Sequence, residues 1–172
     1  VDPAVGLLRR AKRLACFGLG SSAAGAQYAM NKFFRFDVPV IYTGDIVLRR
    51  MGCMNCSEDD VVVLISHTGR TKSQVELAQL ARENDAMVIA LTTAGTPLAR
   101  EATLAITLDV PEDTDMYMPM VSRLAQLTVI DVLATGFTLR RGAKFRDNLK
   151  RVKEALKESR FDKELLIKSD VP

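Results

Sequence analysis

Five short runs of apolar residues alternate along the chain with segments in which apolar positions recur every three or four residues. The runs predict β-strands at residues 13–19, 39–43, 60–66, 86–92 and 103–109. The central runs are almost continuously apolar, which is typical of strands that are buried on both faces of a sheet. The segments between the runs predict helices at residues 21–36, 45–52, 72–84 and 97–101.

This alternation of strands and helices also predicts the fold class. Helices that connect successive strands imply a parallel sheet with right-handed crossovers. We therefore expect an α/β protein, a three-layer α/β/α sandwich with a five-stranded parallel sheet of the flavodoxin-like or Rossmann-like kind. No repeat, low-complexity tract or linker divides the chain, so residues 1–172 are expected to form a single domain.

Two further helices are predicted after the last strand. Residues 118–139 have few charged or strongly polar positions, and a helix that is apolar nearly all round needs cover on more than one side. That cover is either a second copy of the chain, giving a homodimer or tetramer, or the C-terminal helix, and the pattern leaves both open. Residues 144–158 form an amphipathic pattern with a basic face, within a basic C-terminal segment at 140–172.

The composition excludes several classes of protein. The 172 residues, 48% of them hydrophobic and 26% charged, fit one globular domain and neither a disordered nor a fibrous chain. The apolar runs fall short of the ~20 residues that a membrane span needs, and no signal peptide is visible. Three cysteines do not make a disulfide scaffold, so a cytoplasmic protein is expected. The net charge of only +3 argues against a dedicated nucleic-acid binder.

The loop after the first strand is the first candidate for chemistry. It contains Gly18, Gly20, Ser21 and Ser22 at the start of a predicted helix, where backbone N–H groups and the helix dipole favour an anion. The same residues match the dinucleotide pattern G-x-G-x-x-A, with Asp45 as a possible ribose partner. They are also compatible with a serine N-cap beside a tight turn.

The loop after the third strand is the second candidate. Three hydroxyl side chains surround a glycine at the start of the next helix, and the loop consists of Ser66, His67, Thr68, Gly69, Arg70 and Thr71. Thr71 and Gln74 also fit a helix capping box, but a cap needs only one hydroxyl. A phosphate needs several short donors around it, which hydroxyls and backbone amides supply. Because a dinucleotide does not require this second loop, the pair of loops favours a phosphorylated sugar.

These paired loops resemble the sugar isomerase (SIS) domain, a phosphosugar-binding module, over roughly residues 10–140. The loop at 66–71 and the triplet Ser122-Arg123-Leu124 are most similar to the effector domains of RpiR-type transcription regulators. Among these regulators, residues 18–23 and 31–36 are similar to a repressor of hexose catabolism. That resemblance implies a DNA-binding helix-turn-helix domain upstream, to which the basic residues 1–14 would be the end of a connector. It also implies 2-keto-3-deoxy-6-phosphogluconate as the effector.

The resemblance also implies roles for individual residues. Ser66, Thr68 and Thr71 would hold the phosphate, with help from the backbone around His67 and Gly69. The first loop, with Gly20 and with Ser21 or Ser22, would bind the opposite side of the ligand. Glu112, after the fifth strand, falls where isomerising members place a base.

Acid and base groups for an isomerase are scarce in this sequence. An aldose–ketose isomerase needs a base and usually a second acid, whereas His67 is the single histidine and lies inside the phosphate loop. We therefore assign no catalytic residue and expect a sensor. A phosphosugar isomerase that uses Glu112 and a plain dinucleotide-binding domain stay open as alternatives. Cys53 and Cys56 lack two further ligands at suitable positions, so no metal site or cofactor is predicted.

Overall fold

The computed structural model describes residues 1–113 and 119–157. Along the chain the elements follow one another as α1 (Asp2–Arg10), β1 (Arg13–Gly18), α2 (Ser22–Phe33), β2 (Val40–Ile41), α3 (Ile46–Met54), β3 (Asp60–Ile65), α4 (Lys72–Glu83), β4 (Met87–Thr92), α5 (Pro97–Glu101), β5 (Leu104–Thr107), α6 (Val121–Arg140) and α7 (Gly142–Lys157). Met118 and Glu158, which the sequence placed at helix ends, lie outside the described residues.

The five strands form one parallel sheet in the order β2-β1-β3-β4-β5. In the central pair, Leu14 of β1 lies opposite Val61 of β3 and the register continues to Gly18 opposite Ile65. All six residues of β3 are buried, as expected for a strand that is covered on both faces. The predicted α/β fold class, with its five-stranded parallel sheet between helices, is confirmed.

Alternate residues of the strands face two different helical layers. On one face, Phe17, Leu64 and Ala90 share a buried cluster with residues of α4 such as Leu77 and Ala78. On the other face, α2 approaches so closely that a Cβ at Gly25 would lie 3.6 Å from the Ile65 side chain. The core therefore sits on both sides of β1, β3 and β4.

Helix α6 packs beside α2 through polar and aromatic contacts. The Tyr28 hydroxyl donates to Asp131 at 2.9 Å, and the Lys32 ammonium pairs with the same carboxylate at 2.8 Å. Phe36, just after α2, stacks on Phe137 with ring centroids 3.6 Å apart. These contacts fix α6 along α2, so that the first turn of α6 lies near the first turn of α2.

Helix α1 was not predicted from the sequence. Ala4, Val5 and Leu8 are buried on one side of it. A Cβ at Gly136 of α6 would come within 2.9 Å of the Val5 side chain, so this glycine allows the close approach of the two helices. The role of residues 1–14 as the end of a connector stays a prediction.

The chain divides into two compact units, residues 1–137 and 138–172. Within the second unit, Gly142 adopts a φ of +79° at the start of α7, which is easy for glycine and strained for other residues. The predicted amphipathic helix is confirmed through Lys157. Within residues 1–113 and 119–157, no helix has the length and apolar character needed to cross a membrane.

Candidate functional site

The strand order creates a switch point between β1 and β3. The chain leaves β1 towards β2 on one side, and it leaves β3 towards β4 on the other side. In open α/β sheets such a point opens a crevice at the carboxyl ends of the two strands. The two polar loops that follow β1 and β3 therefore lie next to each other, although more than forty residues separate them in sequence.

The loop after β1 (loop 1, residues 18–23) is shaped by its glycines. A Cβ at Gly18 would overlap the backbone oxygen of Ser22, so no other residue allows helix α2 to start this close to the strand. Gly20 has a φ of +54°, a conformation that favours glycine. Ser21 is the N-cap of α2, but its side chain makes no capping hydrogen bond. Its hydroxyl is exposed and is available to a ligand.

The loop after β3 (loop 2, residues 66–71) is held from behind by the loop after β4. The Gly69 φ is +58°, and a Cβ there would overlap the hydroxyls of Thr92 and Thr96. The His67 carbonyl accepts from the Thr93 backbone at 3.1 Å and from its hydroxyl at 2.8 Å. Loop 2 is therefore anchored to the loop after β4 by hydrogen bonds and close packing.

The two loops and the start of α6 enclose a cleft of about 370 Å³, which lies within the usual size range of small-molecule sites. The cleft has polar and apolar surface in similar amounts, and it is lined by Leu19, Gly20, Ser21, Ser22, Ser66, His67, Thr68, Thr71, Gln74, Pro119 and Arg123. The structure thus brings together seven of the nine predicted site residues. Gly69 and Glu112 do not line the cleft.

Thr71 does not form the predicted capping box. It is the N-cap of α4, yet its side chain makes no capping hydrogen bond. Gln74, the other member of the box, is only 1% exposed, and neither side-chain amide atom has a hydrogen-bond partner among the described residues. Both side chains line the cleft instead. Buried amides are normally paired, and a polar ligand in the cleft would supply the hydrogen-bond partners that Gln74 lacks.

Asp45 caps helix α3 and is not placed to bind the ribose of a dinucleotide in the cleft. It is the N-cap of α3, and its carboxylate accepts the Leu48 backbone N–H at 2.9 Å. It does not line the cleft. The glycine pattern of loop 1 is therefore present without the acidic partner that the dinucleotide interpretation needs.

Arg123 extends from the first turn of α6 to the cleft. Its Nη1 donates to the Ser22 hydroxyl at 2.8 Å, while its Nε is buried without a hydrogen-bond partner among the described residues. Burial lowers the pKa of its guanidinium, which stays charged because an arginine starts far above neutrality. No local pattern in the sequence marks Arg123 or Gln74 as ligand-binding, since only the packing of α6 and α4 brings them here.

Glu112 caps the N-terminus of α6. Its carboxylate accepts from the backbone N–H of Met120 and Val121 and from the Ser122 hydroxyl. The Ser122 hydroxyl and these amides lower the pKa of Glu112 to about 2. At neutral pH its oxygens are thus engaged as a helix cap, and a carboxylate of such low pKa is a weak proton acceptor.

The cysteines are placed apart from the cleft. Cys16 and Cys53 are buried, and burial raises the pKa of each thiol to about 12. The Cys56 thiol donates to the Gly52 carbonyl at 3.2 Å. Among the residues that the structure describes, no group of three or more His, Cys, Asp or Glu side chains is arranged to hold a metal ion.

Comparison with known proteins identifies both the family and the fold. The SIS domain family model matches residues 7–136. The structure of Vibrio vulnificus NanR complexed with ManNAc-6P superposes with a TM-score of 0.85 at 23% identity, over 94% of this chain and 61% of that one. That similarity shows a shared fold.

Two curated relatives are much closer in sequence. The chain is 84% identical over 170 residues to the HTH-type transcriptional regulator HexR of Escherichia coli strain K12, covering 99% of this chain and 59% of that protein. It is 52% identical to the regulator of the same name from Pseudomonas aeruginosa, covering 94% of this chain and 56% of that protein. The chain therefore spans less than two thirds of either relative.

Proposed function

The chain belongs to the SIS domain family, and from that premise we propose that it is the effector-sensing domain of a bacterial transcription regulator of sugar catabolism. The names of the two relatives, both transcriptional regulators, support this proposal. Because the chain covers 59% and 56% of them, we place the DNA-binding function in a domain outside these residues. The small net charge of +3 agrees with that division.

The observation that carries the proposal is the cleft between two hydroxyl-rich loops at the switch point. We infer that it binds a phosphorylated sugar acid, 2-keto-3-deoxy-6-phosphogluconate. Ser66, Thr68 and Thr71 would hold the phosphate together with the backbone amides at the start of α4, where the helix dipole favours an anion. Gly20 and the hydroxyls of Ser21 and Ser22 would contact the rest of the ligand from loop 1.

The chemistry of the cleft favours binding over turnover. His67 is the one histidine of the chain and lines the cleft, but Glu112 does not line it and is occupied as the cap of α6. An isomerase must move a proton between two carbons, which requires a base of suitable pKa within hydrogen-bond reach of the substrate. Glu112 meets neither condition in this structure, and we assign it a positioning role at the first turn of α6.

We further propose that the domain works as a homodimer or tetramer that associates through α6. A ligand that binds one arrangement of the subunits more tightly shifts the population towards it. The attached DNA-binding domains would then change their spacing, and ligand and DNA affinities would be coupled. Electrophoretic mobility shifts of the full-length regulator on its operator, with and without the effector, measure this coupling directly.

Thermal-shift measurements on this chain test the ligand class. We expect phosphorylated sugar acids to raise the melting temperature, while NAD and NADP leave it unchanged. At a ligand concentration of ~100 times Kd the stabilisation is about 2.7 kcal/mol, or roughly 5–10 °C for a chain of this size. Stabilisation by NAD alone would contradict the proposal. Turnover of a phosphosugar with proton exchange into solvent would favour the isomerase.

A further inference from the structure

We propose that Arg123 is the specificity-determining residue that selects sugar-phosphate acids over phosphosugars without a carboxylate, by binding the ligand's carboxylate. This inference rests on the proposed phosphosugar site and adds the part of the ligand that the phosphate loop does not explain. In this arrangement loop 2 binds the phosphate, and Arg123 binds the carboxylate where α6 meets loop 1.

The distribution of charge in the cleft is the first argument. Arg123 is the one formally charged side chain among the described residues that line it. The hydroxyl groups of Ser66, Thr68 and Thr71 belong to loop 2, between β3 and α4, whereas Arg123 is bonded to Ser22 of α2. Hydroxyls and helix amides can hold a phosphate without a cation. We infer that the cleft offers two sets of anion-binding groups, and that a sugar phosphate without a carboxylate uses only the first of them.

The second argument is the state of the guanidinium. Nη1 donates to the Ser22 hydroxyl at 2.8 Å, and Nη2 has only a long contact of 3.5 Å with the Ser122 hydroxyl. Nε is buried and has no hydrogen-bond partner within the described residues. The edge formed by Nε and Nη2 therefore keeps donors for a ligand, and two parallel N–H groups on one plane match a carboxylate. The bond to Ser22 fixes that plane beforehand.

The third argument comes independently from Gln74. Its side chain is 1% exposed and lines the cleft, and both amide atoms lack a hydrogen-bond partner in the described part of the chain. Leaving such a buried amide unpaired is unfavourable. An extended ligand that crosses the cleft from loop 2 to Arg123 passes this amide and offers it the hydroxyl or keto oxygens it needs.

A matched pair of ligands separates the carboxylate from the rest of the molecule. 6-Phosphogluconate and glucitol 6-phosphate have the same open chain and differ only at C1, where CH₂OH replaces the carboxylate. We expect the wild-type chain to bind the acid more tightly in isothermal titration calorimetry. In R123Q the affinity for the acid should fall about 10- to 100-fold, the range for hydrogen bonds to a charged group, while the affinity for glucitol 6-phosphate changes less than about threefold.

Arg35→Gln is the control for the loss of one positive charge. Arg35 is exposed and follows the far end of α2, a 12-residue helix that begins at the cleft, so it lies roughly 20 Å away. R35Q should keep the selectivity of the wild type. Circular dichroism melting of R123Q verifies its fold. Because both ligands are titrated into the same variant, a general loss of active protein would affect both affinities and would not be mistaken for a change in selectivity.

The outcomes distinguish this inference from the proposed function. If R123Q loses affinity for 6-phosphogluconate but not for glucitol 6-phosphate, the inference is supported. An equal loss for both ligands would place Arg123 on the phosphate or in the fold, and unchanged affinities would remove it from the site; either result overturns the inference while the phosphosugar site stands. If the wild type binds neither ligand nor 2-keto-3-deoxy-6-phosphogluconate, the proposed function itself is wrong.

Discussion

Gly69 shows how a single residue determines the shape of the binding loop. Its φ of +58° and the absence of a side chain let loop 2 turn against the hydroxyls of Thr92 and Thr96. The turn points the Gly69 backbone N–H at the Ser66 hydroxyl, 3.3 Å away. The hydroxyls of this loop are thus placed by the backbone before a ligand arrives, which lowers the entropic cost of binding.

Glu112 provides a pH-dependent prediction at the same scale. Its pKa is about 2 in the folded chain against an ordinary value of 4.5. Because the folded-state pKa is the lower of the two, the carboxylate stabilises the fold fully above about pH 5, and this contribution is lost as the pH falls towards 2. We expect E112Q to melt below the wild type at pH 7 and the difference to shrink steadily towards pH 2.

Melting curves followed by circular dichroism between pH 2 and pH 7 measure this difference. E101Q is a suitable control, since Glu101 belongs to α5 and its carboxylate contacts exposed side chains such as Arg82. A constant gap between E112Q and the wild type over the whole range would contradict the assigned role of Glu112 as the cap of α6.

Individual site residues were predictable from the sequence where they lie close together in one loop. Ser66, Thr68 and Thr71 follow a buried strand in one loop, so their proximity needs only local geometry. Gln74 has the spacing from Thr71 that a capping box needs, so its sequence position alone does not indicate a ligand contact. Arg123 lies in another helix, and only the contacts between α6 and α2 bring it to Ser22. Long-range packing of that kind leaves no local pattern.

At the scale of elements, the strands were predicted to within about two residues because each is an apolar run between polar segments.

Helix α1 was missed because its basic residues Arg9 and Arg10, close to Lys12, made the segment look like a charged connector. Its apolar residues nevertheless have helical spacing, and Leu8 is fully buried. A short helix with one narrow apolar stripe is hard to distinguish from a linker without the surface it packs on.

Leu8→Ala tests whether α1 belongs to the folded core. Removing a fully buried leucine side chain leaves a cavity, and we expect the free energy of unfolding to fall by about 2–5 kcal/mol. Arg9→Ala, in the next and exposed position of the same helix, should change it by less than about 0.5 kcal/mol. Urea unfolding of both variants measures the values. Equal and small effects would show that α1 is a peripheral connector.

At the scale of the whole molecule, α6 presents exposed apolar side chains on the side away from its buried residues. Leu124 is 66% exposed and Val132 is 47% exposed. With Val121 and Thr128 they repeat every three to four residues, so they share one face of the helix. A second copy of the chain placed along this face would cover it, which is the interface we propose.

Sedimentation velocity of the double variant Leu124→Glu, Val132→Glu tests that interface. Charges buried at the interface would be unpaired, so we expect the wild type to sediment as a dimer or tetramer and the variant as a monomer. Val47→Glu on α3, where the replaced side chain is 64% exposed, should leave the assembly intact. A monomer produced by the α3 variant, but not by the α6 variant, would place the interface on α3.

The central claim is that a phosphorylated sugar acid binds between the two loops, and titration calorimetry with 2-keto-3-deoxy-6-phosphogluconate tests it most directly. The account predicts one ligand per chain for the wild type and an affinity about 10- to 100-fold weaker for Ser66→Ala, which removes a phosphate donor. Ser73→Ala, in the same region but outside the cleft lining, should bind like the wild type. No binding by the wild type, or equal affinity in Ser66→Ala, would contradict the claim.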